Sequence, residues 1–197
     1  MKRALAIVLA LLLCGAALAE ETGFVIRNGI TWGMSEEEAM QTENNPRISE
    51  EEQQDEIRKK VRLSDVYVAG AMGDLELYFI NDALITCEYL FSPNIFTVDY
   101  LAKALSSRYG EECEPDNGMI LEAVTMLVGE EIPEDQLWPS GVDHHHWQLE
   151  DGTAIALVGD SFGIYVLYLD VEGLRAMKAE ADAPDEPEGE AVSADGL

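Results

Sequence analysis

The chain has 197 residues and a formal net charge of −27, from 12 Lys and Arg against 39 Asp and Glu. Charge of this sign and size excludes nucleic acid and anionic membrane surfaces as natural partners, because like charges repel at long range. The length suffices for one ordinary domain, or for two small units that share a core. A basic protein or cations are the partners that the charge favours, and solubility alone is the other explanation of so acidic a chain.

The first nineteen residues have the pattern of a secretory signal peptide. Residues 1–3 are Met-Lys-Arg, residues 4–15 are almost wholly apolar, and residues 17–19 are Ala-Leu-Ala before Glu20. This is the order of a basic start, an apolar run and a small-residue cleavage site, and the run is too short for a comfortable membrane span. We expect cleavage after Ala19 and a secreted or extracytoplasmic chain without a transmembrane span. That mature chain has 10 Lys and Arg against 39 acids, a net charge of −29.

Three cysteines bear on membrane anchoring and on redox state. Cys14 lies in the predicted signal peptide, where a lipoprotein would carry its lipid. Leu13 precedes it, whereas a lipobox has a small residue at that position, so we expect no lipid anchor. Cys87 and Cys113 remain in the mature chain, and two cysteines in an exported protein suggest a disulfide. A pair of buried, reduced thiols is the alternative that the sequence leaves open.

The first half of the chain predicts helices followed by strands. Residues 24–32 indicate a short extended entry, and Ser35 with Glu38 forms a capping box that begins a short helix. A second, polar helix is predicted at residues 49–60, with acids at its start and bases at its end. Alternation of apolar and polar residues then predicts three strands of an antiparallel meander, at residues 63–69, 75–80 and 83–91.

The second half repeats this order. Helices are predicted at residues 98–109, capped by Thr97, and at residues 119–128, and residues 130–139 are predicted to form a loop. A second meander follows, with strands at residues 144–149, 153–158 and 164–170. A last helix is predicted at residues 172–180, before an acidic tail whose composition is typical of disorder.

The sequence therefore predicts an α+β fold made of two tandem units. Each unit combines helices with a three- to four-stranded antiparallel meander, and the units span residues 20–95 and 96–171. Residues 172–197 are predicted to form a helix and then a disordered acidic tail.

Short motifs in the two units correspond as well. The segment Gly-Met-Ser-Glu-Glu-Glu-Ala at residues 33–39 begins the first helix, and residues 75–79 and 153–157 are equivalent strands. The element order and the Gly-Met-Ser-x-Glu-Glu opening resemble a superfamily of small exported bacterial domains. That superfamily includes the outer-membrane assembly lipoproteins of the SmpA/OmlA type and the β-lactamase inhibitor protein. Its known members bind proteins and are not enzymes, so the resemblance implies a protein-binding role, with no particular partner and no binding residue carried over.

One segment resembles a catalytic motif. Residues 159–163, Gly-Asp-Ser-Phe-Gly, are similar to the nucleophile segment of trypsin-like proteases. Phe162 stands where those proteases have glycine, and the three histidines at residues 144–146 lack their sequence context. Gly, Asp and Ser are also turn-forming residues. We therefore interpret the segment as a hairpin turn, and a serine hydrolase using Ser161 is the least favoured function.

The three histidines suggest a metal site instead. In a strand, His144 and His146 would project from one face about 7 Å apart, while His145 and Trp147 would point to the other. Two imidazoles with a carboxylate from a neighbouring strand could bind zinc or copper, although a polar strand face without a ligand is the alternative. We expect an exported, non-catalytic protein-binding module without a cofactor, and the alternative is an extracytoplasmic metal-binding or sensing protein.

Overall fold

The structure, a computed structural model, describes residues 24–43, 46–68, 70–137 and 142–181. The predicted signal peptide and nearly all of the predicted acidic tail lie outside these residues. The described helices are α1 Glu36–Thr42, α2 Val98–Tyr109, α3 Asn117–Val128, α4 Glu134–Leu137 and α5 Val171–Ala181. The described strands are β1 Val25–Arg27, β2 Ile30–Thr31, β3 Ile48–Gln53, β4 Arg58–Val68, β5 Ala71–Ile80, β6 Ala83–Phe91, β7 Asp143–Gln148, β8 Thr153–Gly159 and β9 Ile164–Asp170. The predicted α+β class is confirmed.

Seven strands form one antiparallel sheet in the order β3-β4-β5-β6-β9-β8-β7, and β1 pairs with β2 in a separate hairpin. The sheet contains two meanders, β3 to β6 and β7 to β9. They join through β6 and β9, whose register runs from Thr86 opposite Leu169 to Phe91 opposite Ile164. Strands from both predicted units therefore lie side by side in one continuous sheet.

Successive side chains of a strand point to opposite faces of the sheet, so each face has its own core. The face that bears Trp147, here called the α2 face, packs against α1, α2 and the β1–β2 hairpin. Trp147 is 1% exposed, and α2 contributes Leu101, Ala102 and Leu105. This larger core holds the sheet, the two helices and the hairpin together.

The opposite face, here called the α3 face, has a smaller core beneath α3 and α5. Ala123 of α3 and Leu174 of α5 pack there against strand residues that include Ile80, Ile85 and Leu169. The other end of α3 comes close to the start of β4, where Arg58 donates a hydrogen bond to the Leu127 carbonyl at 3.4 Å. Helix α3 therefore crosses the sheet obliquely, from the β7 side towards β4.

The predicted helix at residues 49–60 is wrong, because this segment forms β3 and the start of β4. All six residues of β3 are exposed, so no apolar alternation marks the strand in the sequence. Its acids instead face bases across the strand pair: Glu52 lies 2.8 Å from Lys60, and Glu51 lies 3.5 Å from Lys59. Cross-strand pairs of opposite charge stabilise a sheet, and here they stabilise the pairing of β3 with β4.

Local signals define the other boundaries. Ser35 and Glu38 form the predicted capping box of α1, and the Thr97 side chain accepts the Tyr100 N–H at the start of α2. Asn81 and Asp82 both have positive φ, 50° and 60°, in the two-residue turn between β5 and β6. This is the backbone that a type I′ hairpin turn requires. Inside the predicted loop at residues 130–139, α4 is a single helical turn.

Candidate functional site

Three connections meet at one end of the sheet, here called the hairpin end. They are the β4–β5 turn, the segment from β6 to α2, and the β8–β9 turn. The register places them together, because Asp74 of β5 lies opposite Leu90, and Ile164 lies opposite both Phe91 and Gly159. With strands about 4.8 Å apart, the two turns are about 14 Å from each other.

Large apolar side chains are exposed at this end. Tyr67 and Met72 face each other across the β4–β5 pair and are 67% and 46% exposed. Ile95 before α2 and Tyr100 in its first turn are also exposed, and Phe162 in the β8–β9 turn is 82% exposed. Single exposed apolar residues are ordinary, but several on neighbouring segments make this end a candidate interaction surface.

The β8–β9 turn holds Phe162 in place through Asp160. The Asp160 carboxylate accepts the N–H groups of Phe162 at 2.7 Å and Gly163 at 2.9 Å, and its own N–H donates to the Gly163 carbonyl. These N–H groups beside Ser161 are thus engaged, whereas a serine hydrolase would need such groups free to stabilise an oxyanion. The geometry is that of a turn that presents Phe162 to solvent.

Helix α2 is fixed against the same end. The Phe96 ring meets Phe91 edge to face and stacks on Tyr100, with ring centroids 5.1 Å and 5.5 Å apart. A Cβ added at Gly159 would collide with Val98, so the start of α2 packs directly on the end of β8. The exposed Tyr100 therefore projects from a helix that is packed against the sheet.

The α3 face carries a charged cluster on β3, β4 and β5. Arg62 lies 2.6 Å from Asp74 and 3.4 Å from Glu76, which is 6% exposed. Tyr78 donates a 2.5 Å hydrogen bond to Glu76, and burial followed by this bond raises the pKa of the Tyr78 hydroxyl. The cluster is paired internally and forms a fixed polar surface.

Glu88 lies where this charged cluster meets the apolar part of the α3 face. It is half-buried on β6, between Glu76 on one side and Leu167 on the other. Burial, and then the nearby charge of Glu76, raise the pKa of Glu88 to about 7. It lines a cavity of about 370 Å³ between α3, α4 and the sheet.

The structure brings His144 and His146 together on β7. The Nδ1 of His144 and the Nε2 of His146 are 3.0 Å apart, while His145 points away and lies 2.8 Å from Glu112. Burial, followed by repulsion from the neighbouring imidazoles, lowers the pKa of His146 to about 4. Within the described ranges, no group of three or more His, Cys, Asp or Glu residues is arranged to hold a metal ion.

Both cysteines of the predicted mature chain are free thiols in the structure. Cys87 is buried on the α2 face, where burial raises its pKa, and Cys113 is exposed ahead of α3. The backbone N–H of Cys113 donates to the carbonyl of His146.

No family model matches the sequence, and no curated protein or solved structure is similar enough to match it. None of the helices in the described part of the chain is long and apolar enough to cross a membrane. The sequence interpretation missed the Glu88 cavity, and its one local signal was a single charged residue in the apolar strand 83–91.

Proposed function

We propose that the chain is an exported, non-catalytic protein-binding module and that its partner docks on the hairpin end. The observation that carries this proposal is the group of exposed large apolar side chains on three neighbouring segments at that end. Asp160 fixes the backbone of the β8–β9 turn and the start of α2 packs on β8, so a partner would meet a surface whose backbone there has little conformational entropy left to lose. Aromatic residues such as Tyr67 and Phe162 are also the residue types that contribute most in protein interfaces.

The charge of the chain sets the chemistry of the partner. With a net charge of −29 after cleavage, the exported chain attracts basic proteins at long range and repels acidic ones. We propose a basic partner whose contact surface combines apolar side chains with Lys or Arg. Association should slow steeply as salt rises, because charges beyond the contact steer the encounter.

Export and tandem organisation belong to the same proposal. The basic start, apolar run and small-residue cleavage site support secretion with cleavage after Ala19. The helix-then-meander order on both sides of residue 95 supports two related units, and with it the resemblance to exported protein-binding domains of the SmpA/OmlA type.

The experiment that tests the proposal is affinity capture with a matched pair of variants. The chain is immobilised and exposed to the envelope and secreted proteins of its source organism. Proteins retained by the wild type are identified, and their affinities are then measured with Phe162→Asp and with Ile57→Ser. Ile57 is also 50% exposed, but it lies in the β3–β4 connection at the opposite end of the sheet.

We expect one protein to be retained in near-stoichiometric amount relative to the immobilised chain. Phe162→Asp should weaken its binding about tenfold or more. Ile57→Ser should bind as the wild type does. A partner that is lost equally with both variants, or with neither, would contradict docking at the hairpin end.

The second candidate is the metal-binding function of His144 and His146. Two imidazole nitrogens of one tetrahedral zinc ion lie about 3.3 Å apart, and the Nδ1 and Nε2 atoms here are 3.0 Å apart. Calorimetric titration with Zn²⁺ or Cu²⁺ tests this candidate. We expect His144→Ala to remove binding and His145→Ala to keep it, and unchanged affinity in His144→Ala would reject the site.

A further inference from the structure

Glu88 occupies a position that disfavours its charge. Its partner on β5 is another acid, Glu76, and its partner on β9 is Leu167. Arg62 and Lys60 are the nearest cations, but Arg62 pairs with Asp74 and Glu76, and Lys60 pairs with Glu52 and Glu50. Among the residues that the structure describes, none makes a hydrogen bond or an ion pair with the Glu88 carboxylate.

The cavity beside Glu88 is apolar and of ligand size. Ile120 and Val124 of α3 and Leu137 of α4 form one wall, and Val158 and Leu167 of the sheet form another. Its volume of about 370 Å³ lies in the range of small-molecule pockets, which combine apolar walls with a few polar groups. Here the polar groups include Glu88 and, nearer the hairpin end, Asp160 and Tyr165.

This combination selects a ligand with an apolar body and a positive head. A carboxylate in such a place is costly unless a cation or a hydrogen-bond donor satisfies it. A neutral apolar ligand would leave the carboxylate unsatisfied, and an anion would add a third negative charge beside Glu88 and Asp160. An alkylammonium ion satisfies the carboxylate with its head while its chain contacts the apolar walls.

We propose that the cavity between α3, α4 and the sheet binds a small aliphatic amine, with its ammonium group on Glu88 and its alkyl chain against Val124 and Leu167. This site goes beyond docking at the hairpin end and does not depend on it. The ammonium donates hydrogen bonds to the Glu88 carboxylate, and no covalent bond forms or breaks.

The pH dependence of binding follows from the groups that face Glu88. Glu76 on β5 raises its proton affinity, Arg62 and Lys60 on β4 lower it, and Asp160 and Tyr165 line the same cavity. Burial and Glu76 dominate, which places the titration near neutrality. Binding of an alkylammonium ion should therefore strengthen between pH 6 and pH 8, as Glu88 loses its proton.

The test is a titration of the full chain with n-hexylammonium, followed by calorimetry and by amide chemical shifts in β8 and β9. Hexan-1-ol and hexanoate serve as the neutral and anionic probes of the same length. Glu88→Gln removes the charge with little change of shape. Glu50→Gln is the matched control, because Glu50 is an exposed acid of β3 on the same face, next to Arg62.

We expect hexylammonium to bind about tenfold to a hundredfold more tightly than hexan-1-ol, the usual range for a charge-assisted hydrogen bond. Glu88→Gln should abolish this preference and its pH dependence, and Glu50→Gln should keep both. Absence of saturable hexylammonium binding would overturn the proposal. So would equal affinity for the amine and the alcohol, or unchanged amine affinity in Glu88→Gln.

Discussion

Two titratable side chains on the α3 face respond to acid in opposite ways. The pKa of Glu88 is raised to about 7 by burial and by Glu76, and the pKa of His146 is lowered to about 4 by burial and by the adjacent imidazoles. Protons stabilise the fold through Glu88 and destabilise it through His146 over nearly the same pH range. Their effects partly cancel in the wild type, so only single variants separate them.

The first prediction concerns Glu88. Because its folded pKa lies above its unfolded value of about 4.3, its stabilising contribution is complete in acid and is lost as pH rises through 7. Glu88→Gln should therefore raise the free energy of unfolding relative to wild type at pH 8 by about 1–3 kcal/mol, after allowance for partial exposure. Urea unfolding at pH 5 and pH 8 measures this. A variant less stable than wild type at pH 8 would show that the carboxylate is well paired.

The second prediction has the opposite sign. The folded pKa of His146 lies below its unfolded value of about 6.5, so its contribution is complete above pH 6.5 and is lost as pH falls towards 4. His146→Gln should lose less stability than wild type between pH 7 and pH 4, by about 2 kcal/mol. The same urea titrations measure it, and Glu88→Gln provides the contrasting slope. Parallel pH profiles for His146→Gln and wild type would exclude a depressed pKa.

At the level of single elements, two serines in similar sequence contexts have different structural roles, one at a helix start and one in a strand. Ser35 caps α1, where its hydroxyl accepts the Glu38 N–H and Glu38 accepts the Ser35 N–H in return. Ser49 has the same kind of sequence context, yet it lies in β3 and donates to the Arg62 carbonyl at 3.2 Å.

The third prediction uses this contrast. Ser35→Ala should cost about 1 kcal/mol of unfolding free energy, because an N-cap and its reciprocal bond are lost. Ser49→Ala should cost no more than about 0.5 kcal/mol, the usual effect of an exposed substitution. Thermal or urea unfolding of both variants measures the difference. Equal losses would indicate that residues 49–60 begin with a helix cap after all.

Some elements of the fold are predictable from the sequence and others are not. Most of β4 to β9 was predictable because apolar residues alternate there, and α2 because its cap and apolar stripe are both local signals. The first residues of β4, 58–62, and of β5, 71–74, lay outside the predicted strands. Strand β3 was not predictable, since its glutamates favour a strand only when that strand pairs with Lys59 and Lys60 of β4. The Glu88 cavity was hidden for a similar reason, because Leu167 lies beside Glu88 only after β6 and β9 have paired across more than seventy residues.

For the whole molecule, the pairing of β6 with β9 makes the two halves of the sheet one structure. Leu77 of β5 and Trp147 of β7 belong to the same core on the α2 face, although they come from the two predicted units. A substitution that destabilises one half should therefore lower the stability of the other half as well, as in a single cooperative domain.

The fourth prediction tests this cooperativity. Leu77 is fully buried, so Leu77→Ala should lower the free energy of unfolding by about 2–5 kcal/mol. The midpoints followed by tryptophan fluorescence and by far-ultraviolet circular dichroism should shift together. Two separated transitions would indicate units that unfold independently.

Strand β3 is an edge strand of the sheet and carries three consecutive glutamates, Glu50, Glu51 and Glu52. The free margin of a sheet offers unpaired N–H and C=O groups on which the strand of another molecule can add. Like charges along this margin repel the same margin of a second molecule, and dissolved salt screens that repulsion. Added salt should therefore favour pairing of two molecules through β3, which light scattering of concentrated solutions would register.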